Sequence, residues 1–525
     1  TAELLESLSS VAFSITLKGK TNIKTITQYM RKTFLYLLLL SSTAGFAQKV
    51  GKPDAYAKTI TAADLKKHLY IVAGPEMQGR DAASEGERKA AQYIENEFKR
   101  IGLQTSSNGT YRQPFNLYQD SLVGARLEVN GQPFELNKDF TLSVGNALDA
   151  THRFSEVVVI GNNAADSLQR ADVAGKLVLV LPGNTGGGAA AGGNRGAGNV
   201  MMQLRNKGVA GILTIGPGFP RTTPFNAVGG MSINSFKRAY QPQQFVISEA
   251  VARAILKDQY DAAKAGSVKT HNANILLDVQ KVTNPLPSSN VLGVLPGTDL
   301  KDEYLVLTAH YDHVGHRGDS VIFYGADDDG SGTVSVIEIA EAFAKAKKEG
   351  KGPRRTIVFM LVSAEEKGLQ GSAYYGDNPI YPLEKTTANL NIDMIGRIDP
   401  ERKVGDSTNY VYIVGDDKLS SDLRPISIEA NKKVKMELDY KFNDPKDPMN
   451  IYYRSDHYNF AKHGVPIIFF FNGTHADYHR PTDTPDKINY PLLAKRAQLV
   501  FYTAWEMANR NDMLKRDMEL PELRR

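Results

Sequence analysis

Four apolar runs, 304–309 (YLVLTA), 356–362 (TIVFMLV), 387–392 (TANLNI) and 465–471 (VPIIFFF), constrain this chain most, because each is soon followed by residues able to bind or transfer protons. Runs that are continuous rather than alternating read as strands buried on both faces, as in a parallel sheet covered by helices. The expected fold class is therefore α/β, with a mixed, mostly parallel central sheet flanked by helices. His310 and Asp312 follow the first run, Glu365 and Glu366 the second, Asp393 the third, and Tyr478 and His479 the fourth. Strand ends of an open sheet line one crevice, so these side chains are expected to converge. Between the first two runs lies GADDDGSG (325–332), whose glycines permit a tight turn. A helix then carries Val336, Ile339, Ala340 and Phe343 at spacings of three and four.

Two imidazoles with a surplus of carboxylates, in a chain with no cysteine, suit zinc in a hydrolytic site rather than a closed structural one. Two ions need a bridging carboxylate, about two further ligands each, and one more acid to take a proton from water. The residues present meet that count. They leave open which of three adjacent aspartates in GADDD faces the metals.

HYD, GADDDGSG, SAEEKGLQGS, NIDMIGR, RSDHYNF and DYHRPTDTPDKI occur in this order. The chain thereby resembles the dizinc aminopeptidase family that also contains glutamate carboxypeptidase II, glutaminyl cyclase and the transferrin receptor, over roughly residues 60–115 and 289–510. The resemblance implies two zinc ions per chain. His310 and Asp393 would hold one, Glu366 and His479 the other, and Asp328, fourth in its motif, would bridge them. It implies Glu365 as general base and Asp312 as the group that accepts the other ring N–H of His310 and fixes its tautomer. Tyr478 is expected to hydrogen-bond the developing oxyanion. The resemblance uses only His310 of HYDHVGH, so His313 and His316 are not expected as ligands, and His457 and His475 read as structural or rim histidines. Arg454 is either a surface charge or a substrate contact.

A net charge of +5 over 525 residues, without a basic cluster interleaved with aromatics, points away from nucleic acid as a partner. Peptides are the expected substrates. Residues 30–47 have a basic start, an apolar core too short to span a bilayer, and small residues before a cut. They read as a signal peptide, so a periplasmic or secreted protein without a membrane anchor is expected, with 1–29 a non-native or mis-assigned leader. Residues 48–115 and 287–525 are assigned to the catalytic domain. The first part opens with two helical patterns, one capped by Thr61 and Asp64, joined by a glycine-punctuated loop containing Arg80. Residues 116–286 turn to short strands and include a hairpin turning at Asn130 and Gly131. SEVVVIG, GKLVLVL and GVAGILTIG there resemble the protease-associated domain inserted in relatives of this family. A helix is expected from Val200, after a mobile glycine-rich loop at 183–199, and the charged tail 509–525 is expected to be loosely ordered.

The expected function is that of a secreted dizinc exopeptidase acting at the amino terminus of peptides. A carboxypeptidase of the same family would need a cation for the terminal carboxylate, and Arg454 and Arg397 are the candidates. A glutaminyl cyclase would use one zinc, and a receptor-like, non-catalytic protein would have lost ligands.

Overall fold

The computed structural model describes residues 51–161, 168–169, 171–182, 194–236, 240–266, 268–318 and 320–520. The leader at 1–29, the signal peptide at 30–47 and most of the glycine-rich segment lie outside them. In chain order the strands used below are β1 (Arg112–Val129), β2 (Ala150–Ile160), β3 (Leu177–Val180), β4 (Gly211–Ile215), β5 (Gln243–Ile247), β6 (Lys269–Leu295), β7 (Leu300–His310), β8 (Arg355–Val362), β9 (Thr386–Ile392), β10 (Tyr410–Val414), β11 (Glu437–Asp439) and β12 (Ile467–Phe471). The helices are α1 (Ala62–Val72), α2 (Glu85–Ile101), α3 (Gly332–Lys348) and α4 (Tyr490–Asn509).

The sheet runs β11, β10, β12, β9, β7, β8, β6 and continues through β2, β3, β4 and β5. Strands β8, β7, β9 and β12 are mutually parallel, while β6 runs antiparallel to β8 and β10 antiparallel to β12. Every residue of β8 is buried, and alternation explains why. Ile357, Phe359 and Leu361 pack into the core shared with α1 to α4, whereas Val358, Met360 and Val362 enter a second core on the opposite face. Thr61 Oγ1 accepts from Asp64 N at 3.1 Å at the start of α1, as the capping pair predicts.

Strands β1 and β6 pair from Arg112 opposite Val291 to Val129 opposite Ile275. The boundaries expected at 116 and 286 therefore fall inside two long strands that run from the catalytic part into the insert. The insert has its own apolar core, including Leu127, Val157, Leu177, Leu213 and Phe245. Asn130 and Gly131 both have positive φ in the hairpin turn, the conformation a two-residue turn requires. One expectation fails here. The helix begins at Asn194 rather than Val200, because packing of Leu204, with Val200 and Met201, against β2 to β4 sustains the turn before it.

The charged tail is packed as far as it is described. Leu514 is buried, Arg516 donates to the carbonyls of Leu383 and Thr386 at 2.8 and 3.0 Å, and Asp517 accepts from Ser421 N. Charge along a segment does not by itself keep it off the surface when backbone carbonyls are there to receive it. No helix among the described residues is long and apolar enough to cross a membrane.

Candidate metal centre

The carboxyl ends of β7, β8 and β9, the turn before α3 and the loop after β12 converge at one end of the sheet. His310 Nε2 lies 3.2 Å from Asp328 Oδ1, 3.8 Å from Asp393 Oδ1 and 3.9 Å from Glu365 Oε2. A second group forms next to it. His479 Nε2 is 3.1 Å from Asp328 Oδ2 and 3.0 Å from Glu366 Oε2. All five residues expected as ligands are thus brought together, with Asp328 between the two groups.

The three adjacent aspartates have separate tasks, although all three are buried. Asp327 accepts from Gly396 N and contacts His475 Nε2 at 3.1 Å. Asp329 accepts from the backbone N–H groups of His310, Gly332 and Met394 at 2.8–3.1 Å. Only the Asp328 carboxylate faces the three imidazoles of His310, His313 and His479. Its backbone is held by Asp483, whose carboxylate accepts from the N–H groups of Asp327 and Asp328. Asp483 lies in a motif that the sequence singles out, yet its supporting role is visible only in the fold.

Asp312 acts differently from the expectation. Its carboxylate oxygens accept from the backbone N–H groups of Glu365 and Glu366 at 3.1 and 3.3 Å. Its backbone carbonyl is the nearer partner of His310 Nδ1, at 3.1 Å against 3.6 Å for the carboxylate. Asp312 therefore orients His310 through its main chain and fixes the two glutamates through its side chain. Each carboxylate oxygen can accept more than one hydrogen bond, and Oδ1 also stands 3.6 Å from the His310 ring nitrogen expected as its partner.

Among the described residues several buried polar atoms here meet one another closely without forming an aligned hydrogen bond: His310 Nε2, both ring nitrogens of His313, Asp328 Oδ2, Glu366 Oε1 and His479 Nε2. Unpaired buried polar atoms are individually costly. Their clustering on imidazoles and carboxylates, all aimed inward, is the donor chemistry of a divalent cation such as zinc. Glu365 is the outlying acid. Burial pushes its carboxyl well above the usual range, neighbouring carboxylates add to this, and His310 opposes it. Tyr478 stacks on His479 with ring centres 3.9 Å apart, and it lines a small cavity with Asp328, Glu365, Asp393, Met394, Ile451, Arg454, Phe469 and Phe471.

Comparison with known proteins agrees with this geometry. Residues 290–504 match Peptidase family M28. This part of the chain is similar to peptidase family M28. A "Probable zinc metalloprotease" of Pyricularia oryzae is 28% identical over 268 residues, covering 44% of this chain and 51% of that protein. "Leucine aminopeptidase 1" of Penicillium rubens is 27% identical over 281 residues, covering 52% of this chain and 69% of that one. The chain thus spans about half the length of the first of these relatives. The fold is also that of an aminopeptidase from Aneurinibacillus (TM-score 0.53, 18% identity, 90% of this chain and 99% of that one). A zinc aminopeptidase from Bacillus subtilis is similar at a TM-score of 0.50 and 19% identity, covering 88% and 99%.

All the converging residues lie within the M28 segment, but one of their supports comes from outside it. Arg80, in the loop between α1 and α2, is completely buried. Its guanidinium donates to the carbonyls of Val72, Tyr311, Tyr324 and Gly325 at 2.7–2.9 Å. It ties the segment after β7 to the turn bearing Asp328. Gly79 beside it has φ +71, and a Cβ there would sit 2.1 Å from the Gly315 carbonyl. Arg80→Met is expected to destabilise the fold by roughly 3–5 kcal/mol, since a buried carbonyl left without its donor costs about 1–3 kcal/mol. A urea midpoint equal to that of the unmodified protein would refute this.

Two further histidines of the matched segment, His457 and His316, stand aside. His457 is buried and bonds to the Tyr452 carbonyl at 2.8 Å, and burial lowers its pKa to about 3, so it is neutral packing. His316 is exposed and lies beside the Gly318 carbonyl. Of the two candidate arginines, Arg397 is ion-paired to Asp477 at 3.0 Å, whereas Arg454 is exposed at the cavity and 3.4 Å from Tyr478 Oη.

Proposed function

We propose that the chain is an exported dizinc exopeptidase that removes residues from the amino terminus of peptides. The observation that carries this reading is the pair of imidazole and carboxylate groups meeting at Asp328 beside an apolar-floored cavity. The "Leucine aminopeptidase 1" relative supports it. So does the retention of every expected ligand, which a non-catalytic receptor-like protein would not need. The 30–47 leader favours a periplasmic or secreted location.

Zinc, when bound, supplies Lewis acidity toward the scissile carbonyl and lowers the pKa of a water. Glu365, facing the cavity beside His310, would accept a proton from the attacking water and deliver it to the leaving amine. Tyr478 donates to the carbonyl oxygen as charge develops on it. Burial, with Asp328 and Glu366 nearby, raises the pKa of its phenol, so at neutral pH it remains a donor. The carboxylates Glu365 and Asp393 favour a free substrate ammonium. Met394, Ile451, Phe469 and Phe471 in turn favour an apolar first side chain.

Arg454 supports the second reading, a carboxypeptidase, because it is exposed at the same cavity and has no carboxylate ion pair among the described residues. Dipeptides and longer peptides with each terminus blocked in turn distinguish the two. Acetylating the amino terminus should abolish turnover and amidating the carboxyl terminus should not. A first-position leucine should exceed glutamate in kcat/KM by about tenfold or more. Turnover of amino-blocked but not carboxyl-blocked peptides would give the site to the carboxypeptidase.

A further inference from the structure

We infer that His313 is a fourth protein donor to the second metal position, beside Asp328, Glu366 and His479. The inference rests on reading the site as a dizinc centre and adds a ligand that this reading does not contain.

His313 Nδ1 lies 2.9 Å from Glu366 Oε1 and 3.7 Å from Asp328 Oδ2. His479 Nε2 meets the same two carboxylates at 3.0 and 3.1 Å. Zinc bonds of about 2.0–2.1 Å in a tetrahedral shell place neighbouring donors about 3.3 Å apart. The four separations, 2.9–3.7 Å, fall on both sides of that value. His313, Asp328 and Glu366 by themselves form a donor cluster whose ligand atoms lie within 4.8 Å of one another.

The ring is held in place by packing. It is completely buried, and its backbone N–H donates to the Arg80 carbonyl at 3.0 Å. Gly325, at φ +56, lies against its face, where a Cβ would come within 2.5 Å of the imidazole. Yet among the described residues neither ring nitrogen makes an aligned hydrogen bond, and neither do Glu366 Oε1 and Asp328 Oδ2, which the ring meets only as close ion-pair contacts. A buried imidazole kept only for packing would be cheaper as an apolar ring. A shared cation gives Nδ1 and both oxygens a partner at once.

The two positions then differ in kind. The second holds two imidazoles and two carboxylates and anchors its ion. The first has His310, Asp393 and the shared Asp328, keeping an open place near Glu365.

The test uses the full holoprotein with zinc as the probe. X-ray absorption at the zinc edge counts imidazoles, and three rings shared by two ions are expected. In parallel, zinc per chain is measured across a graded chelator series for the unmodified protein, His313→Ala and His313→Gln. The second ion should bind more than about 100-fold more weakly in both variants, beyond the roughly 10–100-fold cost of losing a group that merely orients a ligand. Melting of the chelated forms should fall for His313→Ala, which leaves a cavity, and much less for His313→Gln, while both lose the second ion alike, which separates ligation from packing. Two imidazoles in the unmodified protein, or a weakening no larger than that of an orienting group, overturns the inference and leaves the dizinc reading intact. Fewer than two zinc ions in the unmodified protein sinks the dizinc reading and this inference with it. If neither variant folds, the absorption measurement on the unmodified protein still decides.

Discussion

Asp328→Ala is expected to empty both metal positions, lowering zinc per chain from two toward none and turnover by roughly four orders of magnitude. Loss of Lewis-acid stabilisation worth several kcal/mol, at about 1.36 kcal/mol per factor of ten, sets that scale. Among the described residues no other carboxylate contacts both His310 and His479. Oδ1 is 3.2 Å from His310 and Oδ2 is 3.1 Å from His479. Burial opposes its ionisation, but His310 and His479 outweigh burial and hold its pKa well below the usual range. Its two neighbours provide internal controls, since their carboxylates are occupied by Gly396, His475 and three backbone amides. Asp327→Asn and Asp329→Asn should therefore lower the melting temperature before they lower zinc content. Elemental analysis and thermal melts of the three variants decide. Zinc retained in Asp328→Ala but lost in either neighbour would move the bridge along the turn.

That assignment shows where the sequence was informative and where it stopped. The strand ends were legible because β8, β12 and the second half of β7 are buried on both faces, which forces continuous apolar runs whose ends stand out. Nothing local separates Asp327, Asp328 and Asp329, because a turn has no periodicity to say which way each carboxylate points. The same limit hid the inward face of His313, three residues beyond His310 in a loop, and the two glutamate amides that the Asp312 carboxylate accepts besides lying near the His310 ring. Arg80 was illegible for another reason. Its partners Tyr311, Tyr324 and Gly325 are 231 to 245 residues away in the chain, and such contacts are set by tertiary folding alone. The boundaries of the insert were placed by composition. The structure puts them opposite one another inside β1 and β6, with Asn116 facing Pro287 and Leu117 facing Leu286. Continuous strand pairing across a boundary leaves no loop for composition to mark.

Glu365→Gln is expected to lower kcat by roughly two to four orders of magnitude, the usual contribution of general base catalysis, while zinc content and fold persist. An extended strand end, where successive side chains diverge, would by itself separate Glu365 from Glu366. The separation is real but has a different origin. Both residues lie past the end of β8, after Ala364 at φ +57, and Asp312 clamps their two amides. From there Glu366 reaches between His313 and His479 at 2.9 and 3.0 Å. Glu365 turns instead toward His310, 3.9 Å away, and into the cavity. A side-chain amide in place of the Glu365 carboxylate would keep the shape and the clamp but could not take a proton. Glu366→Ala removes a donor, so it should lose one zinc along with activity. Zinc per chain and single-turnover rates, measured side by side, read the difference. If Glu365→Gln loses a metal while Glu366→Ala keeps two, the roles are exchanged; if Glu365→Gln turns over at the unmodified rate, the proton goes to another group.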